Sequence, residues 1–599
     1  MPPKNFATLA WTSLVSLVQV GGDISSPEPE CYKRSMQLFK TRLILFLAGT
    51  LTFNACTGLD PLRYDQAKDS AATNAYLSAA NFGEQLKEVS ALEARILAQS
   101  ADEPLPLGAL GSALLEKRPN SLTAQYGLID FYQHVGANDT VAIYQQAFET
   151  SKQAILASGD GSLENPFKLL SKTDAVLLLQ SQGQSIVGSI YQSNDAMPLQ
   201  LLLLSRSSKD SPVTSTYFNL SALVDAMADS GALPKASKNP WDTLRILADS
   251  YDSGARAAIG TYLARQRRYD AAIGWLELAS QENNLLAHTL LARIFWYQSG
   301  RQTDTDQADD PSVLTIEELT QKAVENHAKA IELGSTESMY TLGRLLLEES
   351  GIKGGVGANS SDTAEKKQER ALTLLKQAGD LGHAKSFLYL ANQYQRGRLL
   401  AKDENRANRY FASAANLRNP KAIISYARYI CESMTQESQT QILPLLRELA
   451  DADNAEAMVV IGNLYAKGVE TRRSYRRAIR WYKRAVDQAQ ASHHGDTAVV
   501  NEVAWTLAVS GQKGLQEPAY AQSIMDTMML NNKQVQTHPE YLDTWAATYA
   551  ANGNFPKAIE LQKRALHYAR TQDRNDVIVV LQNHLESFEA GDHIVDNIP

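Results

Sequence analysis

The sequence predicts an all-α chain whose second half is an α-solenoid, a row of stacked helical hairpins. Small residues recur at fixed spacing: Gly260, Ala272 and Ala279 lie 12 and 7 apart, and Ala546, Ala558 and Ala565 repeat that pattern. A longer version, 16 and 7 apart, occurs at Ala391, Ala407 and Ala414 and again at Gly462, Ala478 and Ala485. Alanine, leucine and glutamine are abundant, which favours helix, and no hydrophobic strands at regular spacing are read.

The spacing has a physical cause. Two helices approach closely only where the side chains at their crossing are small. The first small residue belongs to helix A of a hairpin. The other two, seven apart, fall on one face of helix B, two turns along it. The remaining gap is the turn: 550–554 in the short version and 466–471 in the long one, each with a Gly (Gly553, Gly468) to end helix A in the left-handed conformation.

The short version resembles the tetratricopeptide repeat, with a period of about 34 residues. Trp545, Ala546, Tyr549, Phe555, Ala558 and Ala565 fall on its signature positions. The long version resembles the Sel1-like repeat. Its best copy runs through residues 454–457, 461–468 and 478–485, and a second runs from Gly382 through Tyr394 and Gly397 to Ala414. The helix A positions Ser386, Ala422 and Ala457 are 36 and 35 apart. Weaker copies pair Ala292 with Ala323 and Ala330, Gly343 with Ala371 and Ala378, and Ala427 with Leu443 and Ala450. The resemblance implies a right-handed superhelical solenoid of Sel1-like and TPR hairpins over 242–590, with a tail at 591–599 that is expected to fray.

Upstream, Lys40, Arg42, an apolar run from Leu43 to Thr52 and Ala55 precede Cys56. A basic start, a short apolar core and a small residue before the cut describe a secretory signal. The run is short for a membrane span, which needs about 20 residues. A cysteine at the cut resembles the lipobox of bacterial lipoproteins, although Phe53 stands where that family usually has Leu. The resemblance implies cleavage before Cys56 and lipidation of that residue. Thr57 follows it, so the family pattern implies an outer-membrane lipoprotein facing the periplasm. Translation is expected to start at Met36. That leaves 1–35 as an extension, 36–55 as signal and 56–69 as tether.

Residues 70–228 are expected to be a helical region with degenerate repeats. Leu122, Tyr126, Ile129 and Tyr132 mark a helix face there, and Gly127, Ala142 and Ala147 hint at a hairpin. The run Leu199–Leu204 is read as buried helix. Pro234 and Pro240 place a linker at 229–241.

The net charge of −8 over 599 residues does not suggest a nucleic-acid binder. Cys31, Cys56 and Cys431 are too few and too scattered for a disulfide framework or a metal site; Cys431 is read as a small core residue. The adjacent His493 and His494 diverge on a helix, and the glycines at 351–357 lack the GK[ST] of a phosphate loop. No GxSxG, HExxH or CxxC occurs, so no catalytic set, cofactor or metal is expected.

Two sets of residues are candidates for partner binding. Arg473, Arg477, Arg480 and Arg484 form a stripe at helical spacing. Like charges at that spacing repel slightly. Either the stripe is a solvated outer face answered by Glu of a neighbouring repeat, which is the simpler reading, or it docks an anionic partner. Trp296, Tyr297, Tyr389 and Tyr429 fall on A helices, which line the inner curve of such arrays, and Tyr is a common hot-spot residue. The expected function is a non-enzymatic, membrane-anchored scaffold that binds envelope proteins. The alternatives are an accessory lipoprotein of exopolysaccharide export, where an anionic polysaccharide of the alginate type is the ligand, and a regulator of peptidoglycan enzymes.

Overall fold

The structure is a computed structural model that describes residues 66–99, 104–194, 196–230, 239–301, 314–350, 364–433, 441–491 and 496–596. Met36, Cys56 and the signal lie outside these residues. So do the glycines at 351–357, the His493-His494 pair and most of the 229–241 and 301–312 segments. Two compact units are described, one ending at Leu342 and one beginning at Gly343.

The first unit opens with five helices: α1 (Gln66–Leu77), α2 (Phe82–Ala98), α3 (Leu105–Lys117), α4 (Leu122–His134) and α5 (Asn138–Leu156). Helix α4 forms as expected, but its buried face is Leu122, Ala124, Gly127 and Leu128, and Tyr126 is exposed. Ala142 is exposed too, so Gly127, Ala142 and Ala147 do not form a repeat crossing.

A four-stranded sheet follows, which the sequence reading did not anticipate. Strand β1 (Phe167–Lys168) precedes α6 (Lys172–Ser181), and β2 (Ser185–Gln192), β3 (Gln200–Arg206) and β4 (Thr214–Asn219) come after it. The order is β1-β4-β3-β2, with β3 antiparallel to both neighbours and β1 parallel to β4. The apolar run expected to be helix is therefore strand. Leu201 to Leu204 are buried on both faces of β3. A short continuous apolar run fits a buried strand and a buried helix equally by pattern, and its length favours strand.

Helices α7 (Ser221–Asp229) and α8 (Trp241–Asp249) lead into the first hairpins, α9 (Ser253–Arg265) with α10 (Tyr269–Ser280) and α11 (Leu285–Ser299) with α12 (Ile316–Glu332). Strand β2 packs on α9 and α11. Asn284 is fully buried there and donates to the Ser189 carbonyl at 2.7 Å. Asp252 caps α9 and accepts from Lys172 Nζ at 3.1 Å and Tyr191 Oη at 2.9 Å. Deeper in the unit, Arg118 is clamped between the carboxylates of Glu93 and Asp174, all three buried. The division falls within α13 (Thr336–Ser350).

The second unit is a run of hairpins. The pairs are α13 with α14 (Ala364–Asp380), α15 (Ala384–Arg396) with α16 (Glu404–Asn416), and α17 (Pro420–Ser433) with α18 (Ile442–Asp451). They continue with α19 (Ala455–Lys467) and α20 (Tyr475–Ala491), α21 (Thr497–Val509) and α22 (Pro518–Asn531), then α23 (Pro539–Ala551) and α24 (Phe555–Thr571), and close on α25 (Asn575–Glu589). The chain is thus predominantly helical, as predicted. The small residues sit at the crossings: Ala272, Ala279, Ala391, Ala407, Ala414, Ala478, Ala485, Ala546, Ala558 and Ala565 are all 0% exposed. In the α17–α18 pair the buried positions of helix B are Ile442, Leu446 and Ala450 rather than Leu443. Gly397 and Gly468 end their A helices at φ 64° and 79°, a region other residues rarely adopt.

The chain end is anchored. The Asp596 amide donates to the Val509 carbonyl at 2.7 Å, and the Gly511 amide donates to the Asp596 carbonyl at 3.0 Å. The expectation of a frayed end from 591 therefore fails as far as Asp596.

Candidate functional site

Within the second unit, successive A helices from α15 to α25 touch one another, whereas successive B helices meet marginally at most. The row whose members are closer lies on the inner side of a bend, so the A helices form the concave face.

Along that face polar side chains link neighbouring repeats. Arg428 on α17 grips Glu502 on α21 with both terminal nitrogens, at 2.8 and 2.9 Å, and reaches Glu456 on α19 at 3.4 Å. On α19, Asn463 accepts from the Tyr482 hydroxyl at 2.6 Å. Asp543 on α23 accepts from Gln562 at 2.7 Å and lies 2.9 Å from Nδ1 of His584 on α25. The Trp505 ring lies 5.7 Å from the His584 ring.

These residues frame a groove of about 390 Å³ across α19, α21, α23 and α25. Asn463, Asn501, Glu502, Trp505, Glu540, Asp543 and His584 are among its lining residues, and no Lys or Arg is. Trp505 stays part-exposed there, while Oδ1 of Asn501 is buried and accepts no hydrogen bond. The sequence reading did not find the groove. The available signal was Asn501 and Trp505 at i, i+4, which puts both on one helix face.

The arginine stripe is only partly helical: Arg477, Arg480 and Arg484 lie on α20, whereas Arg473 falls in the turn before it, and the four differ in their contacts. Arg473, Arg477, Arg480 and Arg484 are all exposed. Arg484 pairs with Asp451 of the preceding hairpin at 3.7 Å and lies over Trp481. Its neighbour Lys483 reaches Glu517 at 3.7 Å. Arg477 instead lies over the Tyr465 ring, and Arg473 lies over Tyr475. Pairing with a neighbouring repeat's acid thus holds for Arg484, while Arg473, Arg477 and Arg480 meet no carboxylate among the described residues.

The aromatic candidates also separate. Tyr429 is 6% exposed, packs 4.6 Å from the Phe411 ring and donates to the Glu404 carbonyl at 3.2 Å. It is therefore a core residue rather than an exposed anchor, because its A helix turns it towards α16. Trp296 packs part-buried against the core of the first unit. Tyr297 stands 5.4 Å from Tyr269 and accepts from Arg301, whose hydrogen bond holds the Tyr297 hydroxyl below its ordinary pKa. Tyr389 is part-buried, with its hydroxyl 3.5 Å from Glu348. These four and the stripe do not converge on the groove.

Cys431 is 5% exposed, and burial pushes its thiol up to about 12, as befits a small core residue. Among the described residues no three His, Cys, Asp or Glu side chains gather as a metal set, and no helix is long and apolar enough to cross a membrane.

The family described as Sel1 repeat matches residues 336–383, 388–419 and 455–489. These matches fall on the α13–α14, α15–α16 and α19–α20 hairpins. Repeats of this kind bind other proteins. No curated protein matches the chain. Among solved structures, a Sel1 repeat protein from Oxalobacter formigenes is 15% identical, with a TM-score of 0.35, over 60% of this chain and 99% of its own. A protective antigen of uropathogenic Escherichia coli with an SLR fold is 14% identical, with a TM-score of 0.30, over 84% and 97%. Yeast Tom70 is 13% identical, with a TM-score of 0.30, over 85% and 88%.

Proposed function

We propose that this protein is a non-enzymatic scaffold, tethered to a bacterial membrane through a lipid on Cys56, whose hairpins hold a protein partner in an envelope complex. The observation that carries the reading is the groove on the concave face of the second unit. It combines a part-exposed Trp505 with polar groups held rigidly by cross-repeat bonds, which is the anatomy of a binding hot spot. Sel1 repeats are in general non-catalytic, which supports the absence of an enzymatic role.

The test is crosslinking in cells with a photoreactive residue placed at Thr506, in the groove, or at Arg480, on the outer face of α20. The reading expects a defined envelope protein captured at the groove position and not at Arg480. Capture of that protein only from Arg480 would move the site to the arginine stripe. Labelling with radioactive palmitate, abolished by Cys56→Ser, checks the anchor. An unlabelled wild type would overturn the anchor.

A second reading rests on the stripe. Arg473 and Arg480 lack carboxylate partners among the described residues, so an anionic polymer such as a uronate polysaccharide suits that face. Binding of alginate to the wild type, reduced in an Arg473→Glu/Arg480→Glu variant, would favour an accessory role in exopolysaccharide export. Arg477 is left out of that variant because it packs over Tyr465 on the other helix of its hairpin, whereas the ring under Arg473 belongs to its near neighbour Tyr475.

A further inference from the structure

A groove selects its ligand by what it leaves unanswered. Three carboxylates, Glu502, Glu540 and Asp543, line this one; Arg428 and Arg574, outside the lining, pair with the first two but are shared with Glu456 and Asp576, so negative charge stays in excess. Asn501 adds a buried carbonyl oxygen that receives no donor. Trp505 adds a part-exposed π face, on which a cation is attracted by the ring quadrupole. An acceptor, a π face and negative charge together are the complement of a group that only donates and is positive. The same concave face already holds one such group from this chain: the Arg428 guanidinium, bidentate on Glu502 and within reach of Glu456.

We propose that the groove between α19, α21, α23 and α25 takes a lysine or arginine side chain of the partner polypeptide, against Trp505 and among Glu502, Glu540 and Asp543. The inference rests on the groove being the partner site. The incoming cation lies against the indole and accepts counter-charge from carboxylates fixed by their own partners: Glu502 by Arg428, Glu540 by Arg574 at 2.6 Å, Asp543 by Gln562 and His584. Because these acids do not need to move, recognition loses little to ordering. The partner segment is therefore basic, although the chain as a whole is only mildly acidic at −8.

The test uses the full chain and three fluorescein-labelled peptides of one length: one with lysines spaced by Gly and Ser, the same peptide acetylated on its lysines, and one with glutamate replacing lysine. Fluorescence anisotropy should show the lysine peptide binding roughly tenfold or more tightly than its acetylated form. That advantage should shrink as salt is raised. Trp505→Leu and, separately, the isosteric Glu540→Gln should each erase most of the difference. The acetylated peptide carries the argument even if a variant folds poorly. Equal binding of all three peptides, lost in Trp505→Leu, would overturn the cation while leaving the groove as a peptide site. Tighter binding of the glutamate peptide, or no binding of the lysine peptide up to millimolar concentration, would also overturn it. If the crosslinked partner is captured only away from Thr506, the partner-site reading itself falls, whatever the peptides do.

Discussion

The guanidinium of Arg477 lies over the ring of Tyr465, its central carbon 5.5 Å from the ring centroid. Arg406 lies over Tyr394 in the same way, at 5.4 Å. The two pairs occupy equivalent places. Each Tyr follows the small residue of helix A by three, and each Arg precedes the small residue of helix B by one. A basic residue that reads as surface charge is thus a clasp inside its own hairpin, closing helix A onto helix B.

The clasp predicts coupling. In a double-mutant cycle with Arg477→Ala and Tyr465→Leu, the interaction term should be about 0.5–1 kcal/mol, the range for a cation on a ring at an exposed position. Urea unfolding measures it. Strictly additive losses would mean that the guanidinium adds nothing beyond solvation of an exposed side chain.

Gly462 predicts a steric limit. A Cβ there would overlap the ring of Tyr482, which is 0% exposed and tied by its hydroxyl to Asn463. The ring cannot swing aside, so Gly462→Ala should cost roughly 1–3 kcal/mol. The same change at Gly274, which faces open space on α10, should cost nothing or stabilise that helix. Comparable melting temperatures for the two variants would contradict the account.

His327 predicts loss of stability in acid. It is 2% exposed with Nδ1 3.1 Å from Ser338 Oγ, and burial lowers its pKa from 6.5 to about 4; Glu337 opposes the shift and Arg293 reinforces it. Between those two values the unfolded chain binds the extra proton, so stability is full above about 6.5 and falls as pH drops towards 4. The contribution is on the order of 3 kcal/mol. Glu93 works in the opposite sense. Burial raises its pKa, against the pull of Arg118, so its contribution falls as pH rises through and above the ordinary carboxylate range. Chemical denaturation at pH 7 and pH 5 separates the two, because His327→Gln should remove the acid loss and leave the Glu93 slope. An unchanged loss between those pH values in the variant would assign it elsewhere.

The anchored end predicts a protection pattern. The Gly511 amide donates to Asp596, so hydrogen exchange at Gly511 should be slow in the full chain and fast in one truncated after Gly591. Identical exchange in both would show that the tail is not held in solution.

How far the repeats could be read depended on the kind of constraint. A crossing of two helices tolerates only a small side chain, so Gly260, Gly343 and the alanines of the array had to appear at fixed spacing. Their complete burial follows from the same geometry. A strand buried on both faces leaves no such mark. Leu199–Leu204 carries no periodicity, and only the pairing of β3 with β2 and β4 decided it. Burial of an individual aromatic was equally hidden. Tyr429 and Trp505 both stand on A helices, yet one stacks on Phe411 and the other opens onto a groove.

The sequence by itself determined the hairpins, their turns and their order, because each depends on residues within about forty positions of one another, packed at a crossing that admits no alternative. Only the tertiary structure decided which surface can recognise anything. The groove gathers Asn463, Trp505, Asp543 and His584 from four helices, and Arg428 meets Glu502 across 74 positions of chain. Those side chains become neighbours through the bend of the stacked A helices. The bend is a sum of small rotations between hairpins, and no single hairpin's residues encode it.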